Sequence, residues 1–208
     1  MIYWGVGSLR SEEKWTSRYV AFIAMMGALG NALFAMSSQV LTIPGGITGI
    51  ALDLSNLGVV VAAVFGGPVA GLVTGIIAGI LPGLWFGFLG GHSGLLALFG
   101  LPIGKAITGF SVGFLCKYFN VLKGVRKSLK TTFLVILGFI PEILFMVLYF
   151  SVLMPYFVGF FVGWMILVSI LVKGVAEMAV IGIITGALVG NSEFVTFLEK
   201  YFNVPLET

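Results

Sequence analysis

The chain has 208 residues, of which 59% are hydrophobic and only 9% charged, with a formal net charge of +3 and a mean hydropathy of +1.14. Soluble domains carry about 25% charged residues, so these values exclude one and predict an all-α, polytopic membrane protein. Continuous apolar runs exclude a transmembrane β-barrel, whose strands alternate, and the single cysteine, Cys116, excludes an internal disulfide.

At about 20 residues per crossing, the length accommodates six transmembrane helices in one bundle, a single domain over residues 1–208. Arg10, Glu12, Glu13, Lys14 and Arg18 precede a long apolar run without a clear cleavage site, which predicts a retained first helix after a short segment, 1–18. Helix 1 is expected from Tyr19 to Ser37, where Ala24, Ala28 and Ala32 recur every fourth residue as a narrow, smooth face. The charge-free segment Gln39 to Ala51 contains Pro44-Gly45-Gly46, which breaks helix. Helix 2 is expected from Asp53 to Phe65. Gly66-Gly67-Pro68 predicts a tight reversal into helix 3, with Pro68 in the first turn of the new helix.

Helix 3 opens the most regular pattern in the chain, glycine at 67, 71, 75, 79, 83, 87 and 91. Each step of four overshoots a full turn by about 40°, so the row is expected to serve more than one neighbour. Pro82 is expected to kink or end helix 3. That leaves Gly67 to Gly79 for packing, and makes the stretch Gly83 to Gly94 a loop or broken helix that its glycines render mobile. Helix 4 follows from Leu95 to Cys116, helix 5 from Thr131 to Leu153 and helix 6 from Trp164 to Val189, before an amphipathic tail (190–208). Lys117, Lys123, Arg126, Lys127 and Lys130 cluster between helices 4 and 5, whereas the opposite loops hold no Lys or Arg. By the positive-inside rule both termini are expected to be cytoplasmic.

Asp53, Lys105, Glu142, Lys173 and Glu177 fall within the expected spans, where an unpaired charge costs about 2.5–3.5 kcal/mol on the insertion scale. Their depths overlap in the outer half of the bundle. They either form a site for a polar or zwitterionic ligand or neutralise one another; Lys173 and Glu177, four apart, lie on one helix face. Asp53, in Asp-Leu-Ser, alternatively caps helix 2. Glu142 follows Pro141, which predicts a kink in helix 5 at the same depth. Trp85, Tyr149 and Trp164 belong to an outer aromatic group that either anchors the interface or lines a pocket. His92 has no ligating cluster beside it, so no metal site is expected. Nucleophile elbows, phosphate loops and nucleotide fingerprints are absent from the sequence, which predicts a binder without a cofactor and not an enzyme.

The sequence resembles the substrate-binding S subunits of the energy-coupling factor (ECF) vitamin transporters. The resemblance rests on Arg18 to Ala35, on Leu52-Asp53-Leu54-Ser55-Asn56-Leu57 running into Phe65-Gly66-Gly67-Pro68-Val69-Ala70-Gly71, on Gly104-Lys105-Ala106-Ile107-Thr108-Gly109-Phe110-Ser111-Val112-Gly113, and on the region of Lys173. It implies a micronutrient binder in a prokaryotic plasma membrane, partnered by a coupling subunit and a pair of cytoplasmic ATPases. On that likeness Ala24, Ala28 and Ala32 dock on the coupling subunit, the segment Gln39 to Ala51 caps the substrate, and helices 4 to 6 line its pocket. The Asp-Leu-Ser and Gly-Pro pattern is similar to riboflavin-type subunits, whereas the start Met1-Ile2-Tyr3 lacks the Met-His hook of nickel and cobalt subunits. Two alternatives stand beside it: a proton-coupled secondary transporter using Asp53, Glu142 or Glu177, and a small membrane scaffold.

Overall fold

The computed structural model describes residues 16–40, 53–89, 93–124 and 126–202. These are almost entirely helical, with no strand among them. In chain order they form α1 (Ser17–Val40), α2 (Asn56–Leu84) running into a π-helical turn (Trp85–Leu89), α3 (Gly94–Tyr118), α4 (Lys127–Gly138), α5 (Ile140–Leu148), a second π-helical turn (Tyr149–Leu153), α6 (Met154–Val158), α7 (Trp164–Gly190) and α8 (Ser192–Phe202). Five stretches are long and apolar enough to cross a membrane: Ser17–Ser37, Asn56–Leu89, Gly94–Tyr118, Lys127–Val158 and Trp164–Gly190.

The second of these is not straight. Gly67 has φ 84° and ψ −175° inside α2, a left-handed backbone conformation that side chains resist, and the chain folds back there. A Cβ on Gly30 of α1 would lie 2.9 Å from the Ser55 carbonyl oxygen and 2.7 Å from Ala78 Cβ. The two ends of the fold thus meet at one point of α1, and the expected reversal is present. The first arm, residues 56–66, has only about three turns, roughly 16 Å, about half of a 30 Å hydrocarbon core. Helix 2 therefore exists as a half-length arm in place of a full sixth crossing.

α1 packs on both arms through Gly27 and Gly30, while Gly58 of the first arm meets the Met26 carbonyl. The buried face of α1 is Phe22, Ile23, Gly27, Gly30 and Phe34, whereas Ala24, Ala28 and Ala32 are exposed. The second arm, 68–84, runs antiparallel to α3. A Cβ would meet the Lys105 carbonyl oxygen from Gly75 (2.5 Å), Ala97 O and Leu98 Cα from Gly83 (both 3.1 Å) and Gly94 O from Gly87 (2.6 Å); Gly71 and Gly79 face Gly109 and Pro102 in the same row.

This corrects the division expected of the glycine ladder. Gly83 and Gly87 belong to the packing row against α3 together with Gly75 and Gly79, whereas Gly71 meets both Gly109 of α3 and Ala63 of the first arm, so the expected second neighbour is present there. Nor does Pro82 stop the helix, which continues through Leu84 into the π-helical turn. Gly91 and His92 lie outside the described residues, as do the charges at positions 10–14 and the segment 41–52.

α4 and α5 are one span broken at Phe139, whose N–H reaches back only to Ile136 O (3.2 Å). Pro141, lacking an N–H, leaves the Leu137 carbonyl without its helical donor, and the kink expected near Glu142 is in place. α7 lies along α4: Thr132 Oγ1 donates to Gly182 O at 2.9 Å, and a Cβ on Gly186 would meet the Ser128 carbonyl at 2.7 Å. Amphipathic α8 crosses the end of the bundle where α1 begins. Phe194 stacks edge-on against Phe65 (5.6 Å), Phe202 against Phe22 (5.0 Å), and Arg18 Nη1 donates to Tyr201 O at 3.2 Å.

Candidate functional site: a buried polar network at mid-depth

The four elements that meet at mid-depth bring their charges together. α3 supplies Lys105 and, one turn later on the same face, Thr108; the start of α2 supplies Asp53, Ser55 and Asn56. α5 contributes Glu142 from its first turn, and α7 contributes Lys173 and Glu177. Lys105 is only 3% exposed and Glu142 4%.

An ammonium group has three donors, and those of Lys105 all find acceptors on the first arm. Nζ donates to Asp53 Oδ2 at 2.8 Å, to Ser55 Oγ and to Asn56 Oδ1 at 3.2 Å. The other carboxylate oxygen of Asp53, Oδ1, accepts the Ser55 backbone N–H at 2.9 Å and the Ser55 hydroxyl. Asp53 therefore closes the turn before α2 and pairs with a lysine at once; the N-cap position itself is Ser55, so the expected cap by Asp53 is not formed and the pairing is.

Glu177 Oε1 accepts the Asp53 backbone N–H and lies 3.4 Å from Lys173 Nζ one turn earlier on α7. Glu142 Oε2 accepts the Thr108 hydroxyl. Among the described residues no Lys or Arg stands within salt-bridge distance of Glu142. The network thus holds three carboxylates and two ammonium groups inside the bundle. Apart from the Asp53–Ser55 bonds and the Lys173–Glu177 pair, every bond joins two different helices, so the bonds fix the mutual positions of α2, α3, α5 and α7. A buried ion pair is a weak source of net stability, but breaking one by removing a partner costs about 3–5 kcal/mol. The arrangement resists loss of any single member.

All five charged residues expected at the site are therefore drawn together, at mid-depth instead of in the outer half. The difference comes from the half-length first arm, which places Asp53 level with Gly30 and Ala78, well short of an outer surface. The aromatic residues stay apart from it. Tyr149 is buried in a separate cluster with Met154, Val162 and Leu167, its ring filling the space left by Gly100. Trp85 is half-buried in the first π-helical turn, and Trp164 is 70% exposed at the start of α7.

Ser55, Asn56 and Thr108 are site residues that the sequence reading does not identify, although each lies close in sequence to Asp53 or Lys105. Asn31 was missed as well. Its Nδ2 donates to Ile77 O at 2.9 Å and its Oδ1 accepts the Leu81 N–H at 3.3 Å, so one side-chain amide bridges both ends of a backbone rung in α2, just before Pro82. A lone amide in the middle of an apolar span was the available signal.

A long groove lies on the outer surface between α2 and α3, lined by Leu72, Ile76, Ile80, Phe99, Ile103 and Phe110. It is almost wholly apolar and does not include the network. No group of three or more His, Cys, Asp or Glu side chains among the described residues is arranged to hold a metal ion.

Five apolar spans around a buried polar core define a multi-pass membrane protein. The family model described as the 5TMR of 5TMR-LYT matches residues 8–187, and the chain belongs to that family, a five-transmembrane, LytS-associated sensor-domain family linked to histidine kinase signalling. Neither a curated protein nor a solved structure gives a significant match. Membership overturns the likeness to ECF S subunits, and with it the vitamin-uptake and riboflavin-type readings; the secondary-transporter alternative is likewise unsupported. The segments that carried the likeness are small-residue packing motifs and a lysine–aspartate pair. Close helix packing requires such residues in any compact membrane bundle.

Proposed function

We propose that this chain is the membrane-embedded sensing module of a histidine kinase signalling system, and that the buried network of Asp53, Lys105, Glu142, Lys173 and Glu177 is the element that responds to the stimulus. The family match over residues 8–187 carries the first half of this reading. The second half is supported by the network's position: it joins four helices, so a change in its charge or hydrogen bonding shifts the balance among their packings. Two-state elements of this kind let a local electrostatic event produce a global readout.

In this reading the protein is not itself an enzyme, and its partners are the bilayer and a kinase module. The arm 56–66 serves as a sixth, half-length segment, and both ends of the bundle's chain face the cytoplasm. Arg18, Lys117, Lys123, Arg126, Lys127, Lys130 and Lys200 all belong to the end of the bundle where α1 begins and α8 lies, in keeping with the positive-inside rule. Single cysteines at 123 and 160 in a Cys116→Ala background test this: only position 160 is expected to react with an impermeant thiol reagent on intact cells, and labelling of 123 alone would reverse the orientation.

The function is tested by deleting the gene in its own host and following response-regulator phosphorylation on phosphate-affinity gels. At least one regulator is expected to change its phosphorylated fraction, and chromosomal Glu142→Gln, which keeps the side chain's size, is expected to shift the same regulator at unchanged protein level. No change in any regulator on deletion overturns the sensor reading.

A further inference from the structure

The first arm of α2 has two differently held ends. Its upper end is bonded into the network: Asp53, Ser55 and Asn56 receive all three Lys105 donors, and the Asp53 N–H is held by Glu177. Its lower end reaches the C-terminal helix. Phe65 stacks edge-on against Phe194 of α8, and the Gly66 carbonyl accepts the Tyr19 hydroxyl at 2.9 Å. Tyr19 belongs to the stretch of α1 that α8 also grips through Arg18 and Phe22.

Between these ends the arm is buried throughout, Val59 to Phe65 being at most 6% exposed. Two of its contacts are backbone-close: Gly58 lies on the Met26 backbone, and Ala63 on Gly71. It joins the rest of the chain below through a single left-handed residue, Gly67. A three-turn helix is stiff along its axis, so a displacement at its upper end is carried to Phe65, and Val59 keys the arm against Gly109 of α3 on the way.

We propose that the first arm of α2 is a buried push-rod coupling the polar network to α8, so that rearranging the partners of Lys105 loosens or shifts the C-terminal helix. The inference deepens the sensor reading and rests on it for the direction of signalling, but the coupling is a property of the protein itself. A competing route exists. α7 carries Glu177 and runs directly into α8, so the same perturbation has a second path that bypasses Phe65 and Phe194.

Hydrogen exchange on the full chain in lipid nanodiscs separates the two paths. Lys105→Met is expected to raise exchange across residues 193–202 by about fivefold or more while leaving the inner half of α3 protected, because local elements open independently of the whole. Ser55→Ala, a milder change that removes one Lys105 acceptor, is expected to raise the same amides to a lesser degree and serves if Lys105→Met does not fold. Phe194→Ala is expected to raise exchange in α8 by itself, and adding either network substitution is then expected to change nothing further. Unaltered exchange in α8 with both network variants overturns the proposal. So does an undiminished network effect in the Phe194→Ala background, which assigns the coupling to α7. Failure of the host phosphorylation assay with this exchange pattern intact would instead count against the sensor reading alone.

Discussion

Gly71 and Gly109 face each other so closely that a Cβ on either would overlap the carbonyl oxygen of the other. This is the tightest point of the antiparallel pair formed by the second arm of α2 and α3, and the close approach of two backbones is what the glycine spacing provides. Lipid supplies no hydrophobic drive between helices, so such pairs depend on dispersion and Cα–H···O contacts over a long smooth seam.

Gly87→Ala in this row is expected to destabilise the fold by about 1–3 kcal/mol, the usual cost of overpacking, because the added methyl would meet Gly94 O at 2.6 Å. Gly163→Ala, where nothing lies within 4 Å, is expected to be neutral. Thermal aggregation of the detergent-solubilised variants measures both. Equal midpoints for the two would show that the seam yields without cost.

Lys105→Met is expected to lower stability by about 3–5 kcal/mol by leaving Asp53 buried without its cation. Lys105→Met combined with Asp53→Asn is expected to recover much of that loss, since position 53 then holds no carboxylate deprived of its cation. A double variant no more stable than the single one would mean that the pair is not what holds Asp53 in place.

Asn31→Leu removes the amide that bridges Ile77 O and Leu81 N–H. Polar contacts between membrane helices are worth about 0.6–2 kcal/mol, and a loss of that size is expected, with faster exchange of the Leu81 amide as the local sign. Protection unchanged at Leu81 would indicate that the backbone rung closes unaided.

Tyr19→Phe removes the hydroxyl that donates to Gly66 O at the reversal. A loss of about 0.5–1.5 kcal/mol is expected, together with greater protease sensitivity near Gly67. If neither changes, the reversal is held by Gly67 and Pro68 alone.

Much of this structure was legible in the sequence because lipid constrains so strongly. The reversal at Gly67, the break before Pro141, the α7 boundaries and the convergence of five charged residues all followed from residue chemistry. The arm's length was not legible, since an apolar stretch ending in a Gly-Pro turn reads alike whether it spans or stops halfway. The row of glycines reads as divided at Pro82, whereas Gly83 and Gly87 continue it against α3. Ser55, Asn56 and Thr108 escaped notice as site residues because a neutral side chain near an apolar span carries no evident penalty, and only the fold reveals that Lys105 or Glu142 lies opposite. Family membership lay beyond motif reading altogether, as small-residue seams are common to unrelated membrane bundles.

The left-handed turn at Gly67 also bears on how the protein is made. An arm of three turns falls short of the about 20 residues of a full span, and at mid-depth its Asp53 N–H and the side chains of Asp53, Ser55 and Asn56 find their partners only once Glu177 and Lys105 are present. Residues 56–66 must therefore reach their final place after α3 and α7 have been synthesised, late relative to their order in the chain. Reporter fusions truncated anywhere between Asn56 and α7 would lack those partners, and the sidedness they record there would describe an intermediate of biogenesis instead of the finished protein.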